Sequence, residues 1–492
     1  GEGSIVWEQA LNAYKGTKEN NRSVRLRTNM KLGYEIIEGL NISSSLAADY
    51  VIDRRNYFQP ANLSYSGYSK SIGETGINLM VLNENLLTYK KVIHEDHHVD
   101  FVAGFSYQYD QEEYNGGYAQ NSPSDKIYYA PDGMPDIGYE DWGGGESRPI
   151  AFKNYQSDMQ EKCLLSYFAR LEYGFRDKYL LSFSIRRDGS STFGKNNRWG
   201  TFPSVSVGWR FDKEKFFPFD QNVVNLFKVR ASYGELGNEN IGEYMYQAVM
   251  SRNNMTYNFN GNVVTGSAVS TFVDNNLAWE KKKTYNVGID LALFNNRLEF
   301  TAEWYKNTSE DLLYAVPVPE QAGVSNTTVT MNAASMNNSG FEFSATYRNR
   351  DRDFKYELSA NLSTLRNRVT SLGFGTDSYI SGAYITNVGQ EIGQFYGWAY
   401  EGIARTQEDL DNHATQEGAR IGDCLYKDVS GPDGKPDGKI DANDQVVLGS
   451  GMPKIHFGFN ARFEYKRFDL SIATFGALNY HVSDRFSLFR PV

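Results

Sequence analysis

The residues most able to do chemistry stand near the C-terminal end. Asp433-Gly434-Lys435-Pro436-Asp437-Gly438-Lys439-Ile440-Asp441-Ala442-Asn443-Asp444 has the spacing of an EF-hand-type loop. Asp433, Asp437, Asp441 and Asp444 fall at positions 1, 5, 9 and 12, Gly438 at the sharp turn of position 6, and Lys439 at position 7, which ligates through its carbonyl. The pattern predicts a structural Ca²⁺ (or Mg²⁺) that ties down a long loop. Lys435 at position 3 and Asp rather than Glu at position 12 run against it, and an insertion could bring in Asp428 instead. A solvated Asp/Gly turn reads the same way. His94-Glu95-Asp96-His97-His98 offers a second donor cluster, but it precedes the alternating Val99, Phe101, Ala103 and Phe105, and so reads as a polar inter-strand turn.

Aromatic side chains among Gly, Asp and Asn form a third group. Tyr114, Tyr118, Tyr128, Tyr129, Tyr139 and Trp142 lie between 110 and 160, and Tyr396 and Trp398 lie further on. Flat rings beside amides and carboxylates can stack on sugars or grip peptides, and Tyr128, Tyr129, Trp142, Tyr396 and Trp398 are the expected substrate contacts. Such loops could equally dock a partner. No nucleophile elbow, phosphate loop or other catalytic constellation is present, so the chain reads as a non-enzyme.

The elements that position these groups alternate strictly. Tyr285, Val287, Ile289, Leu291 and Leu293 are apolar on odd numbers; after the turn at 294–297, Leu298, Phe300, Ala302 and Trp304 carry the apolar phase. Each arm has one greasy and one wet face. The pattern recurs at 24–46, 167–185, 205–233, 341–362 and 455–472. Roughly fourteen strands of about ten residues are expected, the length that crosses a bilayer when tilted. Connections are short at one end of each hairpin. At the other they open into long polar loops at about 110–160, 235–282, 306–337 and 366–454. No run approaches a membrane helix, whereas 34 Tyr, 30 Phe and 45 Gly suit a transmembrane antiparallel β-barrel. A secreted all-β hydrolase or lectin would alternate too, with its apolar face turned to a core.

In that all-β reading Leu291, Leu293, Leu298 and Phe300 face lipid, while Asp290, Glu299 and Glu303 face a watery lumen. Arg at Leu291 should then impair assembly, and Arg at Asp290 should be tolerated. The net charge of −10 argues against a nucleic-acid partner. Cys163 and Cys424 make no disulfide framework, and spacing does not say whether they pair. The chain opens at Gly1 without a signal-peptide pattern and reads as a barrel fragment over 1–492, with its N-terminal plug and terminal strands absent.

Several strings resemble the SusC/RagA family of TonB-dependent transporters. The densest is KYLLSFSIRRDGSSTFGKNNRWGTFPSVSVGWR at 178–210. VRASYGELGNENIGEY at 229–244, the run at 275–305, Asn337-Asn338-Ser339-Gly340-Phe341-Glu342, VGQEIGQFYGW at 388–398 and the block at 422–445 are similar as well. The resemblance implies a 22-stranded barrel in the outer membrane of a Gram-negative bacterium of the Bacteroidetes. It implies import of oligosaccharides or peptides with a SusD-like surface lipoprotein, powered through TonB, and allows a dimer of transporter–lipoprotein pairs. A passive porin-like channel shares every barrel feature and is the alternative.

Overall fold

The computed structural model describes residues 16–483, apart from 64–68, 121–138, 142–146, 150–152, 249, 252–255, 266–267, 270, 319–320, 322–323, 325–327, 351–352, 374 and 432–433. One antiparallel sheet organises the chain. Its strands are β1 (Lys18–Ile37), β2 (Leu40–Gln59), β3 (Lys70–Ile93), β4 (His97–Gln120), β5 (Lys153–Phe175), β6 (Tyr179–Ser190), β7 (Trp199–Arg210) and β8 (Val224–Asn238). They continue as β9 (Glu280–Leu293), β10 (Leu298–Pro317), β11 (Thr328–Asn349), β12 (Phe354–Thr364), β13 (Arg366–Ser371), β14 (Ile455–Tyr465) and β15 (Phe468–Leu478). Every strand pairs with its chain neighbour except that β12 and β13 both pair with β11, as one strand broken at Leu365, and β12 continues to β14. Among the described residues β1 and β15 are the two edges.

The alternation becomes two kinds of cross-strand row. Tyr89, Phe101, Leu171, Phe183, Val205, Tyr233 and Tyr285 stand opposite one another from β3 to β9. One residue along, Lys90, Asp100, Glu172, Ser182, Ser206, Ser232, Asn286 and Tyr305 form the parallel row on the other face. The apolar row is open rather than buried: Phe183 is 44%, Val205 38% and Tyr285 42% accessible, and its other members are half-buried. A soluble sandwich or barrel would bury such a face. This inversion, open to the surroundings on the greasy side, is what strands standing in lipid require. Among the described residues no helix is long and apolar enough to cross a membrane, so crossing is by strand.

Hairpin ends follow the expected asymmetry. The tight turns at 38–39, 94–96, 176–178, 294–297 and 466–467 lie at one end of the sheet. Several residues there adopt left-handed backbone, among them His94, Glu95 and the consecutive Phe294, Asn295 and Asn296; Asn tolerates this region, which keeps the 294–297 turn compact. At this end Trp209, Phe211, Phe216, Phe217 and Phe227 pack edge to face around the longer connection between β7 and β8. On β9 the exposed Tyr285 and the exposed Phe294 bracket a stretch of about nine residues, the length of one crossing.

Two expectations need correction. The strands are longer than about ten residues: β1 and β2 have 20, and β3 and β4 have 24. Twenty-four residues span ~80 Å along the strand at about 3.3 Å each, so the hairpins continue far beyond a hydrocarbon band about 25 Å tall. The loops shrink accordingly. The segment assigned to a loop at 306–337 is mostly the pair β10–β11, which leaves 318–327; that at 110–160 becomes 121–152, and that at 235–282 becomes 239–279. Polar strands pair in water as well as in lipid, because pairing depends on backbone groups.

Where the sequence suggested a featureless loop at 366–454, a small folded cap stands. Its centre is a four-stranded sheet of Ser378–Ser381, Tyr384–Asn387, Gln394–Trp398 and Gln445–Gly449. A buried cluster of Phe193, Phe202, Leu277 and Trp279 clamps the β6–β7 and β8–β9 connections onto the sheet. Trp279 Nε1 donates to the Arg198 carbonyl at 2.9 Å.

Candidate functional site

The polar face of the sheet is where the structure concentrates its chemistry. Arg230 on β8 is in register with two glycines, Gly208 on β7 and Gly288 on β9, and its guanidinium lies over Gly288. A Cβ on Gly288 would come within 2.9 Å of the guanidinium carbon. With that space open, Arg230 Nη2 donates to Glu303 at 2.6 Å, Nε to Asp290 at 3.2 Å and Nη1 to the side-chain Oδ1 of Asn286 at 3.1 Å. Equivalent links recur across the face. Arg25 and Arg27 share Asp49, Arg186 holds Asp188 and Ser166, and Arg348 joins Glu299 to Glu357. A cavity of about 730 Å³ opens over Lys90, Asp100, Glu172, Ser182, Ser206, Ser232 and Asn286. Paired charges and hydroxyls give a hydrated wall with little net field, suited to lining an aqueous passage. Asp290, Glu299 and Glu303 lie on this face, as expected from the alternation.

The described carboxylates of the expected metal loop are engaged by backbone amides. Asp444 is fully buried; its Oδ1 accepts from the Val429 and Ser430 amides at 2.9 and 3.1 Å, and its Oδ2 from the Asp441 amide at 2.8 Å. Asp428 accepts from the Asp437 and Gly438 amides. Asp437 accepts from the Lys439 amide, and Asp441 from that of Asn443. Asp433 lies outside the described residues. Among the described residues no three His, Cys, Asp or Glu side chains stand together to hold an ion. Short carboxylates capture nearby backbone N–H groups, and here Asp428, Asp437, Asp441 and Asp444 each cap a turn in this way.

Burial pushes the Asp444 carboxyl up, but the three amides outweigh it and hold it below the ordinary value of 3.8. A depressed folded value means the contribution is present above the unfolded value and is lost as pH falls through the folded one. Protection factors against hydrogen exchange at the Val429, Ser430 and Asp441 amides, taken relative to the intrinsic rate at each pH, should therefore be high at neutral pH and fall as pH drops below about 4. Asp444→Asn should show fast exchange already at neutral pH, reflecting about 1–3 kcal/mol of lost anchoring; equal protection in both proteins would contradict the anchoring role.

The histidine cluster is a turn. His94 and Glu95 form it, His97 Nδ1 is 2.7 Å from the Tyr173 hydroxyl, and Arg176 donates to Asp96 at 3.0 Å. Cys163 and Cys424 are both free. Of the expected substrate residues, Tyr128, Tyr129 and Trp142 lie outside the described residues. Tyr396 pairs with Val447 in the cap sheet. Trp398 donates through Nε1 to the Asp441 carbonyl at 2.7 Å and lies against Tyr426, while 41% of it stays accessible. The Arg230 network was missed in the sequence, where Arg230, Asp290 and Glu303 are far apart; the glycines at 208 and 288 on polar-face positions were the available signal.

A sheet with an exposed apolar face, a charged inner face and tight turns at one end is the wall of a membrane β-barrel. The family model described as "TonB dependent receptor-like, beta-barrel" matches residues 4–442, and the chain belongs to that family. TonB-dependent receptor P3 of Formosa agariphila is 32% identical over 460 residues, covering 91% of this chain and 43% of that protein. TonB-dependent receptor SusC of Bacteroides thetaiotaomicron is 32% identical over 327 residues, 65% of this chain and 31% of that protein. The RagAB peptide importer in its "open-open" state superposes with a TM-score of 0.78 at 25% identity, over 95% of this chain and 48% of that one. The chain thus spans less than half the length of the curated relatives it matches. It is an outer-membrane β-barrel protein of the SusC/RagA type.

Proposed function

We propose that this chain is part of the wall of an importer that takes oligosaccharides or peptides across the outer membrane, energised through TonB and working with a SusD-like surface lipoprotein. The observation that carries the reading is the polar face. A guanidinium–carboxylate wall on the side away from lipid, with Gly288 leaving room for the Arg230 guanidinium, suits a water-filled path better than a packed core. The similarity to the RagAB peptide importer and to SusC supports the energised reading over a passive pore. The large cap and the long hairpin extensions give a lipoprotein a folded surface to sit on.

The test is uptake by cells that make the protein, with and without TonB. Uptake of its substrate should collapse when TonB is removed, and gentle detergent extraction should bring a surface lipoprotein down with the barrel. Uptake that continues undiminished without TonB would leave the porin-like alternative in its place.

A further inference from the structure

The extracellular part of the polar wall contains a small slot whose construction differs from the paired charges below it. Tyr114 and Tyr118 lie on the same face of β4, separated by Gly116, and the register places Glu74 of β3 and Gln156 of β5 on either side of that glycine. Gly116 leaves room for the end of the Tyr114 ring: a Cβ there would fall 2.3 Å from the Tyr114 hydroxyl and 3.2 Å from the Glu74 side chain. The Tyr114 hydroxyl donates to Glu74 at 3.0 Å, and Arg55, opposite Glu74 in the register, stands 3.5 Å from its other oxygen. Gln156 is exposed and has no hydrogen-bond partner among the described residues. These groups border a cavity of about 270 Å³.

We propose that this slot is a subsite for one neutral sugar ring of an oligosaccharide, an assignment that rests on the import reading above and names the substrate class at one place. Two tyrosine rings bound the gap and offer flat faces to the C–H side of a pyranose. Gln156 presents an unused amide, donor and acceptor together, to ring hydroxyls. Glu74 accepts from the Tyr114 hydroxyl and shares Arg55 with Glu19, which Arg55 meets more closely at 2.9 Å, and its remaining lone pairs can accept from a ring hydroxyl. Tyrosine walls beside a neutral amide favour a sugar ring over an extended peptide backbone. The slot's height on β4, roughly twice the 9–11 residues that cross a bilayer, places it on the extracellular side of the passage.

The experiment uses the full-length protein in detergent, with neutral gluco-, manno- and galacto-oligosaccharides as one probe set and a mixed-sequence peptide pool as the other. At least one neutral oligosaccharide should bind. Tyr118→Ala and Gln156→Ala should each weaken it by about tenfold or more. Tyr114→Phe keeps the ring, loses only the bond to Glu74, and should weaken binding by about threefold. Migration of unheated samples on gels checks that each variant is a folded barrel. Retention of peptides alone, absence of any oligosaccharide binding, or unchanged affinity in both Tyr118→Ala and Gln156→Ala would overturn the subsite. Those results differ from failure of the import reading, which would show as uptake independent of TonB even where the slot binds sugar.

Discussion

Ile289→Arg should cost about 2–4 kcal/mol of barrel stability, because it places a charge on the lipid face near the middle of the crossing. Ile289 is 38% accessible on the apolar face and lies between Val229 and Ala302 in the register. Tyr285 and Phe294 bracket it, so it sits at the greatest distance from either interface. Ser206→Arg, on the polar row, should assemble like the parent, since its side chain enters water beside Ser182 and Ser232. The measurement is the fraction of heat-modifiable barrel in isolated outer membranes, followed by a denaturant titration. Equal assembly of both variants would sink the assignment of faces.

These positions replace the pair suggested by alternation alone. Leu291 is close to the 294–297 turn, where the cost of a charge falls toward 0–1 kcal/mol. Asp290 is no idle lumen residue. It accepts from Arg230 and from the Thr301 hydroxyl, so Arg there would face Arg230 and lose both bonds. The expectation that Asp290→Arg is tolerated is therefore withdrawn, although the face assigned to Asp290 stands.

Leu277→Ala should destabilise the region outside the membrane band by about 2–5 kcal/mol. Leu277 is fully buried with Phe193, Phe202 and Trp279 in a cluster that joins two connections to the wall. Removing its side chain leaves a cavity that three rings, already in contact at centroid distances of 5.3 and 5.5 Å, cannot close without moving. The loss should appear as faster proteolysis at 191–198 and 271–279, with the sheet below still protected. Undiminished protease resistance would show that the cluster does not anchor those connections.

Much was legible because a strand's period is independent of its surroundings. Alternation at 285–304 identified the hairpin, its turn and its two faces, and the same pattern elsewhere gave the strand number within one of that observed. Strand length was misjudged because the alternation ends where the apolar residues end, while pairing does not. β3 and β4 continue through Gly, Glu and Asn with every residue still in register. The cap between 372 and 454 escaped notice because its strands are too short for a period to show. The Asp433–Asp444 spacing showed that carboxylates gather there, but which partner each would take depended on the amides the fold brings near.

The sequence by itself determined an all-β chain, its hairpin phases, the end carrying the tight turns and, through its motif strings, the family. Each of these depends on neighbours a few residues apart or on the order of residue types. Only the tertiary structure decided that Arg230 bridges β8, β9 and β10, that Asp444 is a buried anchor, that the cysteines are free, and that Glu74, Gly116 and Gln156 meet across three strands. Those are relations between residues far apart in the chain, set by strand register, and a shift of one residue in any pairing would have placed their side chains on opposite faces.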